Sequence, residues 1–187
     1  MPSFTRQAIM DAFLRLLAHK PFRKVTVRDI VEECGVNRTT FYYYYQDMYA
    51  IVEDLVASML APYAAALVGQ GVEEDLRDAA DFVRMHRRAL LGLWEGLGQE
   101  AVRRYLFSVL DGPLGQMVAR DAEGLSVTPE ERETVRILMR ENLFGYFYLY
   151  LRGELPTGIG TLEAATRGTS RGMLKNIEDA RKGGKPL

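Results

Sequence analysis

Residues 26–49, TVRDIVEECGVNRTTFYYYYQDMY, restrict the fold of this chain more than any other stretch. Two short segments here each carry a helix start of their own. Thr26 stands three residues before Asp29, in the spacing of a capping box, and Asn37 precedes RTTF as a second cap. Gly35 falls between them, where a helix C-terminus favours a residue at positive φ. Two short helices joined by so tight a turn form a helix-turn-helix. The run from Thr39 to Tyr45 also has strong β propensity, so a strand is the competing reading. The caps decide for a helix, because Asn37 opens one and Asp47 opens the next. Phe41, Tyr44 and Tyr45 then share an inward face, and Arg38, Thr39, Tyr42 and Tyr43 point outward.

Composition supports this only weakly. The net charge of −1 lacks the excess of Lys and Arg usual in nucleic-acid binders. Up to Tyr45, however, seven basic residues face four acidic ones. With 187 residues the chain exceeds a single reading module, and one or two domains are expected. A single cysteine, Cys34, excludes an intrachain disulfide framework and favours a cytoplasmic setting. Asp11 and Arg15 interrupt the first apolar segment, which therefore does not read as a signal peptide. Residues 55–72 carry no charge, but Pro62, Gly69, Gln70 and Gly71 favour a buried helix over a membrane span.

The rest of the chain reads as helices broken at Gly and Pro, which makes the fold class all-α. A first helix capped by Thr5 carries Ile9, Phe13, Leu16 and Leu17 on one face and ends near His19. The fourth starts after Asp47, buries Ile51, Val52, Leu55, Val56 and Met59, and reaches Pro62 without a break, so a boundary within 57–62 is crossed by helix. Gly92, Gly96 and Gly98 weaken a short helix around Trp94, whose order is expected to be marginal. Pro113 is expected to kink or split the helix over 100–120. Thr128, Pro129 and Glu131 mark a clear helix start, and the second half of that helix, LFGYFYLYL, is apolar nearly all round. A last helix over 162–182 shows small residues at Ala164 or Ala165, Gly168 and Gly172, and the basic end ARKGGKPL reads as a frayed tail.

The head resembles the N-terminal domain of the TetR family of bacterial transcription regulators. Thr26, Ile30, Gly35, Val36, Asn37, Thr40, Phe41, Tyr42, Tyr43, Tyr44 and Tyr45 carry the resemblance, which covers about residues 5–55. It implies an N-terminal three-helix DNA-binding domain over 1–47, joined through a fourth helix to a helical ligand-binding and dimerisation domain over 48–187. It also implies a ligand-responsive repressor of operator DNA, released by a small hydrophobic or aromatic effector, with no cofactor. One position departs from the family pattern, which places a phosphate-contacting Lys where this chain has Met48.

Arg38, Thr39, Thr40 and Tyr43 are the candidate base-facing residues, since Arg pairs bidentately with guanine and a Thr methyl suits that of thymine. Thr26, Arg28, Tyr42 and Lys24 are candidates for phosphate. In the body, Phe82, Met85, His86, Trp94 and Tyr105 join Met117, Met139, Asn142 and Tyr146 as a set able to line a cavity for a flat or greasy molecule. A filled core accounts for the same residue types, and only the resemblance favours a pocket.

One short recognition helix reads few base pairs, so a homodimer on paired half-sites is expected. Phe144, Phe147, Tyr148 and Leu151, with the small face at Gly168 and Gly172, are the candidate interface. An enzyme fares poorly, because His19, His86 and Cys34 stand in no metal or nucleophile motif, and Gly158 and Gly160 lack the third glycine of a dinucleotide pattern. A helical interaction module with a weakened head is the remaining alternative, encouraged by Met48 and the near-neutral charge.

Overall fold

The computed structural model describes residues 4–155 and 168–183, and the described residues are helical with no strand. In chain order the helices are α1 (Phe4–Leu17), α2 (Val27–Cys34), α3 (Arg38–Tyr44), α4 (Met48–Leu67), α5 (Glu73–Met85), α6 (Arg87–Leu97), α7 (Gln99–Asp121), α8 (Pro129–Arg152) and α9 (Thr169–Lys182), with a 3₁₀ turn at Phe22–Lys24. Two compact units divide them. One comprises Met1–Met59 and Asp81–Tyr105, the other Leu60–Ala80 and Leu106–Leu187. The first division falls at Met59, inside α4.

In the first unit α1 packs on α2 and on α6, and α2 on α3. Ile9, Phe13, Ile30, Phe41 and Ile51 are fully buried at its centre. Phe22 joins them from the 3₁₀ turn, its ring edge-on to Phe13 at 6.3 Å and to Tyr49 at 5.8 Å.

Pro62 lies inside α4, which runs on to Leu67, and Pro113 does not split α7. One lost backbone hydrogen bond is a bounded cost that burial on either side outweighs. The glycines of α6 have a purpose beyond weakening it. A Cβ on Gly96 would stand 2.5 Å from that of Phe22, and one on Gly92 would stand 3.3 Å from the Leu17 carbonyl. Helix propensity is given up for close approach to the head, and Arg23 fastens the contact by donating from Nε to the Gly96 carbonyl at 3.1 Å.

In the second unit α8 packs on α9. The start of α8 is capped as its sequence dictates: Thr128 accepts from the Glu131 amide at 3.2 Å while Glu131 accepts from the Thr128 amide at 2.6 Å. Arg136 joins Asp111 of α7 at 2.7 Å, and Arg140 lies 4.2 Å over the Phe107 ring. The 162–168 portion of the expected last helix, with Ala164 and Ala165, and the Gly158–Gly160 stretch lie outside the described residues, apart from Gly168 at the N-cap of α9. Gly168, Gly172 and the part of the basic end up to Gly183 are described, and α9 runs to Lys182.

α4 is long and apolar enough to cross a membrane by length and composition. Its Ile51, Val52, Leu55 and Met59 are buried in the first unit's core, while residues 61–67 are exposed or half-buried.

Candidate nucleic-acid interface

The reading head is assembled by local polar chemistry above a small apolar core. Thr26 caps α2 by accepting from the Asp29 amide at 3.2 Å, and Asp29 returns the bond by accepting from the Thr26 amide at 2.8 Å. Lys20 reaches the same carboxylate at 2.6 Å. The Lys20 ammonium first, then the Thr26 hydroxyl and amide, hold the Asp29 carboxyl down to about 2. Gly35 ends α2 at φ 73°, the left-handed region that glycine enters without cost. Asn37 then accepts from the Thr40 amide at 2.8 Å and fixes where α3 begins.

That start sets which way every α3 side chain faces. Phe41 is fully buried, Tyr42 is 55% exposed and Tyr43 81% exposed. Arg38 and Thr39 are exposed and Thr40 is half-buried at the edge of the same surface. Tyr44 is half-buried, edge-on to Tyr43 at 5.0 Å. Tyr45 is buried as expected but is not helical, since the chain turns extended there at φ −138°. Its hydroxyl donates to Asp54 of α4, which Arg6 of α1 also binds. Burial and then the Asp54 carboxylate raise the Tyr45 phenol well above its usual range, so it stays protonated as the donor. The brace ties the exit of α3 to α1 and α4.

Charge is sorted by pairing. Arg6 binds Asp54, Arg15 binds Glu33, Lys20 binds Asp29 and Arg28 binds Glu32. Of the seven cations before Tyr45, Arg23, Lys24 and Arg38 have no carboxylate partner among the described residues. Arg28, predicted to hold phosphate, is already engaged, 2.7 Å from Glu32. Asp47 accepts from the Ala50 amide at 2.9 Å and so puts a carboxylate at the start of α4, beside the uncharged Met48. An anion approaching that helix start meets a negative charge, which removes this position from the strong phosphate sites.

The result is a three-helix head with a polar outer face on its third helix, set by caps and a left-handed glycine. Residues 9–55 match the model of bacterial regulatory proteins, tetR family. The head is thus a TetR-type helix-turn-helix domain. An uncharacterized HTH-type transcriptional regulator, YxbF of Bacillus subtilis (strain 168), is 31% identical over 67 residues, which are 36% of this chain and 18% of that protein. The chain thus matches less than a fifth of that relative's length. A solved structure, the dihydroxyacetone kinase operon activator DhaS, superposes with a TM-score of 0.64 at 13% identity, over 92% of this chain and 97% of that one. At that identity the likeness shows a shared fold beyond the matched head.

The predicted pocket residues are distributed over both units. Phe82, Met85, His86, Trp94 and Tyr105 fall in the first, Met117, Met139, Asn142 and Tyr146 in the second. Met85 is 78% exposed and Asn142 is exposed, so neither lines an enclosed cavity in its unit. Trp94, Met117 and Met139 are buried in apolar cores, the filled-core alternative. His86 packs on Phe82 with ring centroids 4.6 Å apart, and burial lowers its pKa. Tyr146 differs from these. Its hydroxyl is buried without a hydrogen-bond partner among the described residues, as are that of Tyr63 and Nε of Arg140. Burial, with the Tyr150 phenol close by, pushes the Tyr63 phenol up. Tyr63 and Arg140 escaped the sequence reading because one sits in an apolar run and the other among surface-type charges. Among the described residues no cluster of His, Cys, Asp and Glu is arranged to hold a metal.

The predicted dimer surface also needs correcting. Phe144, Phe147 and Leu151 are buried within the protomer. Tyr148 is half-buried, with Arg152 5.8 Å over its ring, and Gly168 and Gly172 are exposed. The apolar side chains that α8 turns outward are Ile137, Leu138 and Leu149.

Proposed function

We propose that this protein is a ligand-responsive, sequence-specific DNA-binding transcription regulator that acts as a homodimer. The outer face of α3 supports this best. Arg38, Thr39 and Tyr43 stand on a helix whose cap and buried Phe41 leave it no other orientation, and Arg38 has no protein partner among the described residues. Burial does not account for so exposed a pair as Tyr42 and Tyr43. In this reading Arg38, Thr39, Thr40 and Tyr43 meet base edges, while Thr26, Lys24, Arg28 and Tyr42 meet phosphate. Selection of bound sequences from random duplexes, followed by fluorescence anisotropy, tests it. Arg38→Ala lowers affinity for the selected site by about 1–3 kcal/mol, and unchanged specific binding rejects the assignment.

The effector site of this reading lies in the second unit. Buried hydroxyls without partners are uncommon in a closed core, and Tyr63 and Tyr146 supply two, with Arg140 adding a guanidinium nitrogen. An aromatic effector with hydrogen-bonding groups suits them. Release from DNA follows if that ligand favours a form of the dimer whose heads no longer match the half-sites. The DhaS protein is named an activator, so the sign of control is tested directly by transcription in vitro from a template carrying the selected site.

Pairing of copies is assigned to the outward faces of α8 and α9. Ile137, Leu138 and Leu149 supply apolar surface, while Gly145 and Gly172 have no atom within 4 Å of where a Cβ would stand, which leaves room for an approaching helix.

A further inference from the structure

The first unit contains an open cleft of about 740 Å³ that the DNA-binding reading leaves unused. Its apolar lining comes from Phe22, Val25, Met48, Leu97 and Ala101. Tyr49 and Tyr105 add aromatic rings, and Arg23 and Arg104 add two cations. Its size is within the range of small-molecule sites, and its lining mixes apolar surface with polar groups.

We propose that this cleft binds a small aromatic monocarboxylate. Arg104 is exposed and has no ion pair or hydrogen bond among the described residues. Arg23 spends Nε on the Gly96 carbonyl, which fixes its stem and leaves its terminal nitrogens without a protein acceptor among the described residues. A guanidinium held in this way offers a planar fork to a carboxylate, and the ring of the ligand covers the apolar lining. Burial first, then the Glu53 carboxylate of α4 and the Tyr49 phenol, raise the Tyr105 phenol, and Asp47 just before α4 adds to them, so a second negative charge on the ligand is repelled. One charge is therefore specified, with the flat apolar body at the α4 side.

The wall opposite α4 is firm, because Gly96 lets α6 close on Phe22. The other wall is Met48 and Tyr49, the first turn of α4, directly after Asp47 and starting three residues beyond the Tyr45 brace. A ligand seated there presses on the residues that hold the exit of the recognition helix. Met48, uncharged at a position facing the cleft, serves as apolar lining. The site is separate from the effector site assigned to the second unit and does not depend on it.

Amide chemical shifts of the ¹⁵N-labelled full chain, titrated without DNA, test the proposal. The probes are benzoate, salicylate, 1-naphthoate and indole-3-acetate, each beside its neutral primary amide. Expected are saturable shifts at Met48, Gly96 and Ala101 for at least one carboxylate, with its amide binding at least about tenfold more weakly. Arg104→Gln, a surface change, weakens that carboxylate by about tenfold while leaving the spectrum and melting temperature unaltered. Ala101→Phe, which fills the cleft, abolishes it. Absence of shifts for every carboxylate at millimolar concentration overturns the proposal. So does equal binding of the amides, unchanged affinity in Arg104→Gln, or shifts confined to the second unit. Because no DNA is present, these outcomes leave the DNA-binding reading to its own test.

Discussion

α3 and α8 show how differently two helices of one chain disclose what they are for. α3 has seven residues and one fully buried side chain, and its orientation is dictated by an Asn37 cap, a left-handed Gly35 and a single inward phenylalanine. α8 has 24 residues, a full capping box and, in its second half, apolar side chains nearly all round. In the short helix the outward residues are identified by elimination, because the inward position is already filled. In the long one, residue type does not separate the face buried in the protomer from the face left for another copy. Local polar chemistry specifies direction, and bulk hydrophobicity does not.

The largest effect expected from this contrast comes from the inward side of α3. Phe41→Ala removes a fully buried ring and lowers stability by about 3–5 kcal/mol, seen as a fall in melting temperature by circular dichroism. Tyr43→Ala, two residues on and 81% exposed, changes stability by less than about 0.5 kcal/mol while weakening DNA binding. Comparable melting of the two variants breaks the division of α3 into an inward and a reading face.

Next in size is Gly96→Ala. The added methyl meets the Phe22 Cβ, and overpacking of this kind costs about 1–3 kcal/mol. Gly172→Ala, with open space around it, stabilises the isolated protomer by roughly 0.5–1 kcal/mol and weakens self-association, as measured by sedimentation across a concentration series. Leu138→Asp weakens association further without unfolding the chain. Dimers as tight as the wild type in both variants place the interface elsewhere.

The smallest effect concerns the cap. Asp29 titrates at about 2 in the folded chain, below the ordinary aspartate near 3.9 in the unfolded one. A depressed carboxyl pKa means that its stabilisation is complete above the unfolded value and lost as pH falls through the folded one. Between roughly pH 4 and pH 2, wild-type melting therefore drops more steeply than that of Asp29→Asn. Thr26→Ala, which removes the other half of the box, costs about 1 kcal/mol at neutral pH.

Much of the head was legible because its determinants are local. Thr26, Gly35 and Asn37 announce their geometry within three residues, and the structure places each as a cap or a left-handed turn. The pairing of Arg28 with Glu32 was also local, at the i,i+4 spacing, but its competition with phosphate emerges only when the free cations are sorted from the paired ones. What escaped the sequence depended on distant partners. Gly96 looked like a weakness until Phe22 lay against it, 74 residues earlier in the chain. Phe144, Phe147 and Leu151 looked like an interface because the core that buries them is built from other helices. Tyr63 carried no local signal, since a hydroxyl in an apolar run discloses nothing until its burial is known.

The central claim is that α3 presents a sequence-reading surface with working charge behind it, despite Met48. Affinity for the selected duplex and for a scrambled one, measured by anisotropy between 50 and 200 mM salt, tests it most directly. Expected are a steep fall with salt for both duplexes and a preference for the selected site of at least about 10³-fold, reduced in Arg38→Ala. Weak binding that is insensitive to salt and equal for both duplexes contradicts it.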